Sequence, residues 1–317
     1  VRLTLHNAGH ILGSSIVHMH VGEGLHNIVY TGDFKFMHSS LLEAANTMFP
    51  RVETLIMEST YGAMDDIMPS RMEVENRLIR IANETLTGGG KVLIPVLAVG
   101  RAQEIMLVLN DAMRRGLLKE VPIYLEGMIN EVTAIHTAYP EYLSKDLQAK
   151  ILYEDSNPFQ SDYFVPIKHP ESRPEIMEGP PCIILATSGM LEGGPVLEYL
   201  RHLADDGRNT MTLVSYQFEG TLGRRLQQGV REVSLRSHED KMEMLNVKMG
   251  IEFVEGFSGH SDRNQLLGFV KRITPRPQRV IVCHGERSKC HNLAGAIRRF
   301  FKMDADAPAL LESVRLC

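Results

Sequence analysis

Residues 5–15 read LHNAGHILGSS, and residues 30–34 read YTGDF. In both, a short strand-like run stops at a glycine turn and a side chain with ligand chemistry follows: His10 in the first, Asp33 in the second. Strand-end loops are where catalytic and binding groups concentrate, because a rigid scaffold positions them. The pattern recurs in FSGH (257–260), which ends in His260, and in VIVCHGE (280–286), which carries His284. A fifth run, LIMEST (55–60), presents Glu58. Imidazole nitrogens and carboxylates are the donor set for zinc or a similar divalent ion. Singly, each has an ordinary reading: a structural histidine, a turn-forming aspartate, a carboxylate that caps the next turn. Five in one pattern, drawn from both ends of the chain, point to a shared site at the carboxyl ends of strands, where α/β proteins place their chemistry.

The rest of the chain bounds what such a site can serve. It has 317 residues, 44% hydrophobic and 23% charged, which is enough for two domains with sizeable cores. No apolar run approaches the roughly 18 residues of a membrane span. Cys182, Cys283, Cys290 and Cys317 form no repeated spacing, so neither a disulfide framework nor a paired-cysteine zinc knuckle is expected, and a cytoplasmic location is. The net charge of −5 carries no global nucleic-acid signature; a polyanion has to be held by a local basic lining or by metal. The chain starts at Val1 inside a strand-like run, which reads as a missing N-terminus.

Residues 1 to about 60 are short strands joined by glycine turns. From Pro69 onward strands alternate with helices: SRMEVENRLIRIANETL, GRAQEIMLVLNDAMRRG, NEVTAIHTAYPEYL, PVLEYLRHLADDG and TLGRRLQQG as helices, with KVLIPVLA, VPIYLE, CIILATS and TMTLVSY as strands. Apolar strands alternating with helices predict an α/β fold with a mostly parallel, helix-covered sheet. Segment 150–180, polar and proline-rich, reads as a connecting loop. After about 240, strand (IEFVEG), helix (DRNQLLGFVKRI), strand (RVIVCH) and helix (KCHNLAGAIRRFF) follow.

AGHILGSS, YTGDF, LIMESTYG, GRAQE, TSGMLEGGP, EGTLGRR, FSGHSD and CHGE, in this order, resemble the β-CASP branch of the metallo-β-lactamase-fold nucleases, and most closely the archaeal relatives of the cleavage and polyadenylation specificity factor nuclease. The resemblance covers essentially the whole chain. It implies a partial metallo-β-lactamase αββα sandwich at 1–62 and 256–317, with a β-CASP domain inserted at 63–255. It also implies a centre of two zinc ions that hydrolyses RNA phosphodiester bonds, endonucleolytically and in some relatives 5′-to-3′ exonucleolytically, in RNA 3′-end processing, transcription termination or decay. His10 matches a zinc ligand, Asp33 the carboxylate that bridges both metals, and His284 another zinc ligand. Glu58 and His260 match a catalytic pair, with His260 as general acid and Glu58 bonded to its other ring nitrogen. Ser188 and Gly189, at the start of a helix, and Arg101 and Arg224 are candidates for holding phosphate; ordinary turn chemistry and solvated arginines are the other reading. RNA, a second copy of the chain, and RNA-processing or transcription machinery are the implied partners, with no membrane.

One departure is sharp. The family's main metal motif, HxHxDH, is absent, and its place falls before Val1; archaeal relatives carry KH domains there too. The single HxH, His18-Met19-His20, lacks the Asp-His that should follow. It lies in an alternating strand, where Val17, Met19 and Val21 share one face and the histidines the other, and it reads as a solvent-facing or hydrogen-bonded pair. The chain alone therefore offers three zinc ligands and is expected to be inactive. Three readings compete with the ribonuclease: a non-catalytic processing scaffold, a DNA-processing relative, and a small-molecule metallo-hydrolase of the same superfamily, against which the long insert and the His260 motif speak. His284 favours RNA, since the DNA branch commonly has valine there. The five site residues should converge in one crevice, with His260 within about 12 Å of Asp33.

Overall fold

The computed structural model describes residues 1–154, 156–236 and 242–316; Cys317 lies outside them. Four strands come first: β1 (Arg2–Asn7), β2 (Ser15–Val21), β3 (His26–Tyr30) and β4 (Thr54–Glu58). The middle of the chain alternates α1 (Arg71–Thr87), β5 (Val92–Pro95), α2 (Arg101–Arg114), β6 (Ile123–Glu126), α3 (Ile129–Ala138), α4 (Lys145–Leu152), β7 (Phe164–Pro166), α5 (Arg173–Glu178), β8 (Ile183–Ala186), α6 (Val196–Leu203), β9 (Thr210–Leu213), α7 (Leu222–Gln227), β10 (Glu232–Arg236), β11 (Met242–Asn246) and β12 (Gly250–Phe253). The last stretch is α8 (Arg263–Arg272), β13 (Arg279–Cys283), α9 (Arg287–Phe301) and β14 (Asp304–Asp306). The chain forms two compact units: Val1–Met68 with Glu141–Asp146 and Gly259–Cys317, and Pro69–Pro140 with Leu147–Ser258.

The first unit is built on a six-stranded sheet in the order β1-β2-β3-β4-β13-β14. β1, β2 and β3 pair antiparallel, and β3, β4, β13 and β14 pair parallel. It follows that β1, β3, β4 and β13 all point the same way and end on one edge. One face of this sheet is a closed core: Val29, Leu55, Met57, Val280 and Val282 meet Phe269 of α8 and Leu293 and Ile297 of α9. Each is under 2% exposed, so truncating Leu55 or Phe269 to alanine costs about 2–5 kcal/mol. On the opposite face the register aligns Leu3 with Met19 and Ile28, and Leu5 with Val17 and Tyr30. Here Leu3 is 59% and Leu5 65% exposed, on a strand at the edge of the sheet.

The HxH strand turns out the other way round from its sequence reading. Ile16 and His18 face the core and are fully buried, while Val17 and Met19 lie on the less covered face. His18 is not solvent-facing: its Nε2 donates to the Arg51 carbonyl at 2.9 Å, and its ring meets Phe49 edge to face. His20 Nδ1 bonds Asn27 Oδ1 at 2.9 Å. The pair is hydrogen-bonded, as one half of the expectation had it.

The second unit holds a six-stranded, wholly parallel sheet in the order β12-β9-β5-β8-β6-β7. Its central strands, VLIP and IILA, are buried at every position, as a sheet covered on both faces demands. Helix α1 starts on a capping box, Ser70 with Glu73, which satisfies two of the first-turn amides. The expected loop at 150–180 is corrected: it contains the end of α4, the edge strand β7 and helix α5. A three-residue strand ending in Pro166 is too short to show alternation, and proline is tolerated because the strand is at the edge. The β10–β11 hairpin and β14 were not anticipated either.

Candidate metal centre

Because β1, β3, β4 and β13 end on one edge, the turns that follow them share that edge. His10 follows β1, Asp33 follows β3, Glu58 closes β4 and His284 follows β13. His260 arrives differently. It belongs to the first unit, in the loop ahead of α8, well past the end of β12. That loop is pinned to the turn after β3: Ser261 N donates to the Phe34 carbonyl, Phe36 N to Ser261 Oγ, and Lys35 Nζ to the His260 carbonyl at 2.8 Å.

The His10 turn is fixed by its neighbours. The Ser14 hydroxyl accepts from His10 N at 3.1 Å and Ile11 N at 3.2 Å. Gly9 sits at φ +69°, and a Cβ there would lie 2.6 Å from the Glu43 carbonyl, so only glycine fits. His10 Nδ1 donates to the Gly259 carbonyl at 2.9 Å, which leaves the Nε2 lone pair free to bind. Burial, and then the nearby His260, hold the His10 ring below its usual pKa, so the neutral, ligating form is favoured. Its Nε2 lies 3.9 Å from Asp33 Oδ2.

Asp33 spans two histidines: one oxygen faces His10 and the other bonds His284 Nδ1 at 2.8 Å. His284 has φ +47°, the left-handed region that non-glycine residues seldom occupy. Strained backbone of this kind gathers at functional sites. Two groups of donor atoms, each within 4.8 Å of one another, overlap at Asp33: His10, Asp33 and His260, and Asp33, Glu58 and His284. This donor set fits a divalent ion such as zinc.

Glu58 is committed elsewhere. It is 1% exposed, and its carboxylate takes His260 Nδ1 at 2.8 and 3.0 Å and Phe34 N at 2.8 Å. Burial alone would raise its pKa; the His260 ring, the Thr60 hydroxyl and the Phe34 amide outweigh it and hold the carboxyl below its ordinary value. His260 packs against His10, with ring centroids 4.6 Å apart. Sequence reasoning overlooked Thr60, whose hydroxyl lies 3.4 Å from Nδ1 of both His260 and His284, and Gly259, which supports His10. The signal for Thr60 was its place two residues after Glu58 at a strand end.

With this geometry in hand, comparison with known proteins is direct. Residues 102–226 match the Beta-Casp domain, and residues 244–308 match the Zn-dependent metallo-hydrolase RNA specificity domain. The chain belongs to the β-CASP family of the metallo-β-lactamase fold. It is 54% identical over 316 residues to the transcription termination factor FttA of Methanothermobacter thermautotrophicus, covering 100% of this chain and 50% of that protein. Against the factor of the same name from Pyrococcus abyssi it is 55% identical over 317 residues, 100% of this chain and 49% of that one. For the Lokiarchaeum sp. protein of that name the identity is 51% over 316 residues, 100% of this chain and 50% of the relative. The chain thus spans about half the length of the curated relatives it matches.

The remaining candidates, Ser188, Gly189, Arg101 and Arg224, all lie in the second unit of this β-CASP protein, beyond the carboxyl ends of its parallel strands. The Ser188 hydroxyl is used within its own loop, donating to the Gly193 carbonyl and accepting from Glu192 N. Gly189 sits against the Leu97 backbone, where a Cβ would lie 3.0 Å from Leu97 N. Arg101 is buried rather than solvated, and its guanidinium bonds Glu104, which also pairs with Arg71 at 3.4 Å. Arg224 is half-buried and bonds Gln227. No helix among the described residues is long and apolar enough to cross a membrane.

Proposed function

We propose that this chain carries the Asp33 side of the metal centre of a zinc-dependent ribonuclease that hydrolyses RNA phosphodiester bonds. The observation that carries the reading is the ion pair of buried Glu58 with His260, standing beside Asp33, whose two oxygens face His10 and His284. His10, His284 and Asp33, which reaches both rings, would hold the zinc. Two zinc ions, when bound, supply an activated water for in-line attack and offset charge on the phosphoryl oxygens. His260 gives a proton from Nε2 to the leaving ribose oxygen, while Glu58 holds Nδ1–H and keeps the ring aimed. The RNA specificity domain matched at 244–308 supports RNA as substrate. The relatives' name, transcription termination factor, supports a role where RNA cleavage ends transcription, with transcription machinery as partner. Pairing of two copies and a cytoplasmic location complete the proposal. The test uses the protein at its natural length: it should cleave single-stranded RNA in preference to DNA, lose activity with a chelator and regain it with zinc. Equal cleavage by an Asp33→Ala variant would overturn the assignment.

A further inference from the structure

We infer that Tyr216 and Phe218 form a platform on which one unpaired RNA base stacks; this rests on the reading of the protein as an RNA-cleaving enzyme. The loops that follow β5, β8 and β9 sit at one edge of the parallel sheet and interlock. Gln217 is 2% exposed, and its side-chain amide donates to the carbonyls of Gly189 and Ser215, both at 2.9 Å. Glu192 accepts from Leu222 N at 3.1 Å, and Gly189 lies against Leu97. The residues flanking Gln217 are therefore held rigidly. They are aromatic. Tyr216 and Phe218 meet edge to face, with ring centroids 5.2 Å apart at 76°. Phe218 is nevertheless 54% exposed, and its backbone is fixed because its carbonyl takes both the amide and the hydroxyl of Thr221.

A single exposed apolar residue needs no explanation. A braced aromatic is a different object when Leu97 (44% exposed) and Val99 (38%) stand on the loop that Gly189 joins to its own, since exposed apolar side chains gathered on interlocked loops mark a binding site. Its charge surroundings select the partner. Thr221 caps Arg224 N, so the first turn of α7, with Arg224 and the exposed Arg225, follows the platform directly. Glu219, exposed and next to Phe218, repels a phosphate at that spot. A base on the ring with its phosphate carried toward Arg225 satisfies both. Stacking on an aromatic face is sequence-tolerant and is the usual way unpaired RNA is held.

The test uses the protein at its natural length and single-stranded oligoribonucleotides, with 2-aminopurine or an abasic residue placed at each position in turn. Binding is read by stopped-flow fluorescence before turnover. Phe218→Ala should weaken RNA binding about 5- to 100-fold, and Phe218→Trp should restore it. At one position the wild-type protein should quench 2-aminopurine and the alanine variant should not. An abasic residue there should weaken wild-type binding by the same factor and add nothing to the loss in Phe218→Ala. Arg225→Gln should lower the salt slope of binding by about 0.7, one single-strand phosphate contact. If Phe218→Ala leaves binding unchanged, or weakens every abasic RNA as much as intact RNA, the platform is refuted; wild-type cleavage in the same preparation then leaves the ribonuclease reading standing. Position-specific quenching without cleavage upholds the platform and sinks the ribonuclease reading, and a wild-type protein that does not bind RNA sinks both.

Discussion

Replacing Gly259 by alanine tests the metal centre without touching a ligand. An ideal Cβ at Gly259 would lie 2.9 Å from Nδ1, 3.0 Å from Cε1 and 3.1 Å from the carbonyl oxygen of His10, whereas ordinary contacts begin at 3.4 Å. The His10 ring must therefore retreat by about half an ångström, because the backbone on both sides is held. The same ring spends its Nδ1–H on the Gly259 carbonyl at 2.9 Å, so the retreat misaligns the bond that fixes its tautomer and aims Nε2 at Asp33. Losing such a supporting bond typically lowers metal affinity 10- to 100-fold, about 1.4–2.7 kcal/mol. Crowding the site costs roughly 1–3 kcal/mol of fold stability as well. The assay is zinc competition against a chromogenic chelator on the natural-length protein, with thermal unfolding of the same sample. Gly295→Ala is the control: it lies in α9 with nothing within 4 Å of its Cβ, so zinc affinity should stay put and stability rise by up to about 1 kcal/mol. If Gly259→Ala holds zinc as tightly as the wild type, His10 is not a ligand, or its orientation is immaterial, and the argument fails.

Other substitutions separate the roles. Asp33→Ala should cost several orders of magnitude in RNA cleavage and most of the bound zinc, since one carboxylate reaches both histidines. His260→Ala should keep its zinc, measured by elemental analysis, yet slow cleavage by roughly 10²–10⁴; loss of zinc would recast His260 as a ligand. The Glu58 carboxyl is held below its ordinary value, so its ionised form adds stability above the ordinary carboxylate range, near pH 4, which drains as pH falls through the lowered folded value. Glu58→Gln should accordingly flatten the fall in melting temperature between about pH 5 and pH 3; an unchanged acid limb refutes it. The 317 residues alone present His10, Asp33 and His284 where two zinc ions need about four ligands each. They should bind zinc weakly and leave RNA intact until a segment with an HxHxDH motif is supplied; two tightly held ions with turnover would show the ligands to be misplaced.

The long periodic elements were legible. VLIP and IILA are apolar at every position, and a strand so patterned has to be covered on both faces, which forces the parallel, helix-wrapped sheet. Ser70 and Glu73 announce α1 by a local mechanism that needs nothing distant. Segment 150–180 failed for the converse reason: β7 is three residues long, and its pairing partner, β6, lies some 40 positions earlier. Strand β2 shows a subtler limit. Alternation sorts residues onto two faces without saying which is inward. Val17 and Met19 looked like the inner set; Phe49 and the Arg51 carbonyl, supplied by a distant stretch of chain, decide for Ile16 and His18.

The site's residue types were equally legible, and its division of labour was not. His10 and His260 both follow glycine, and the chain alone gives no physical ground for making one a ligand and the other a proton donor; resemblance supplied that. The structure gives each a different partner on Nδ1. His10 donates to a neutral carbonyl, that of Gly259. His260 donates to the buried Glu58 carboxylate, which is also held by the Phe34 amide. A neutral partner, in a site where burial and a neighbouring imidazole both disfavour charge, supports a ring with an open lone pair at Nε2, which is what a metal needs. A carboxylate partner supports a ring that keeps Nδ1–H on Glu58 while it gives up a proton at Nε2. The proposed roles thus rest on two acceptors, one uncharged and one charged, and exchanging them should exchange the roles.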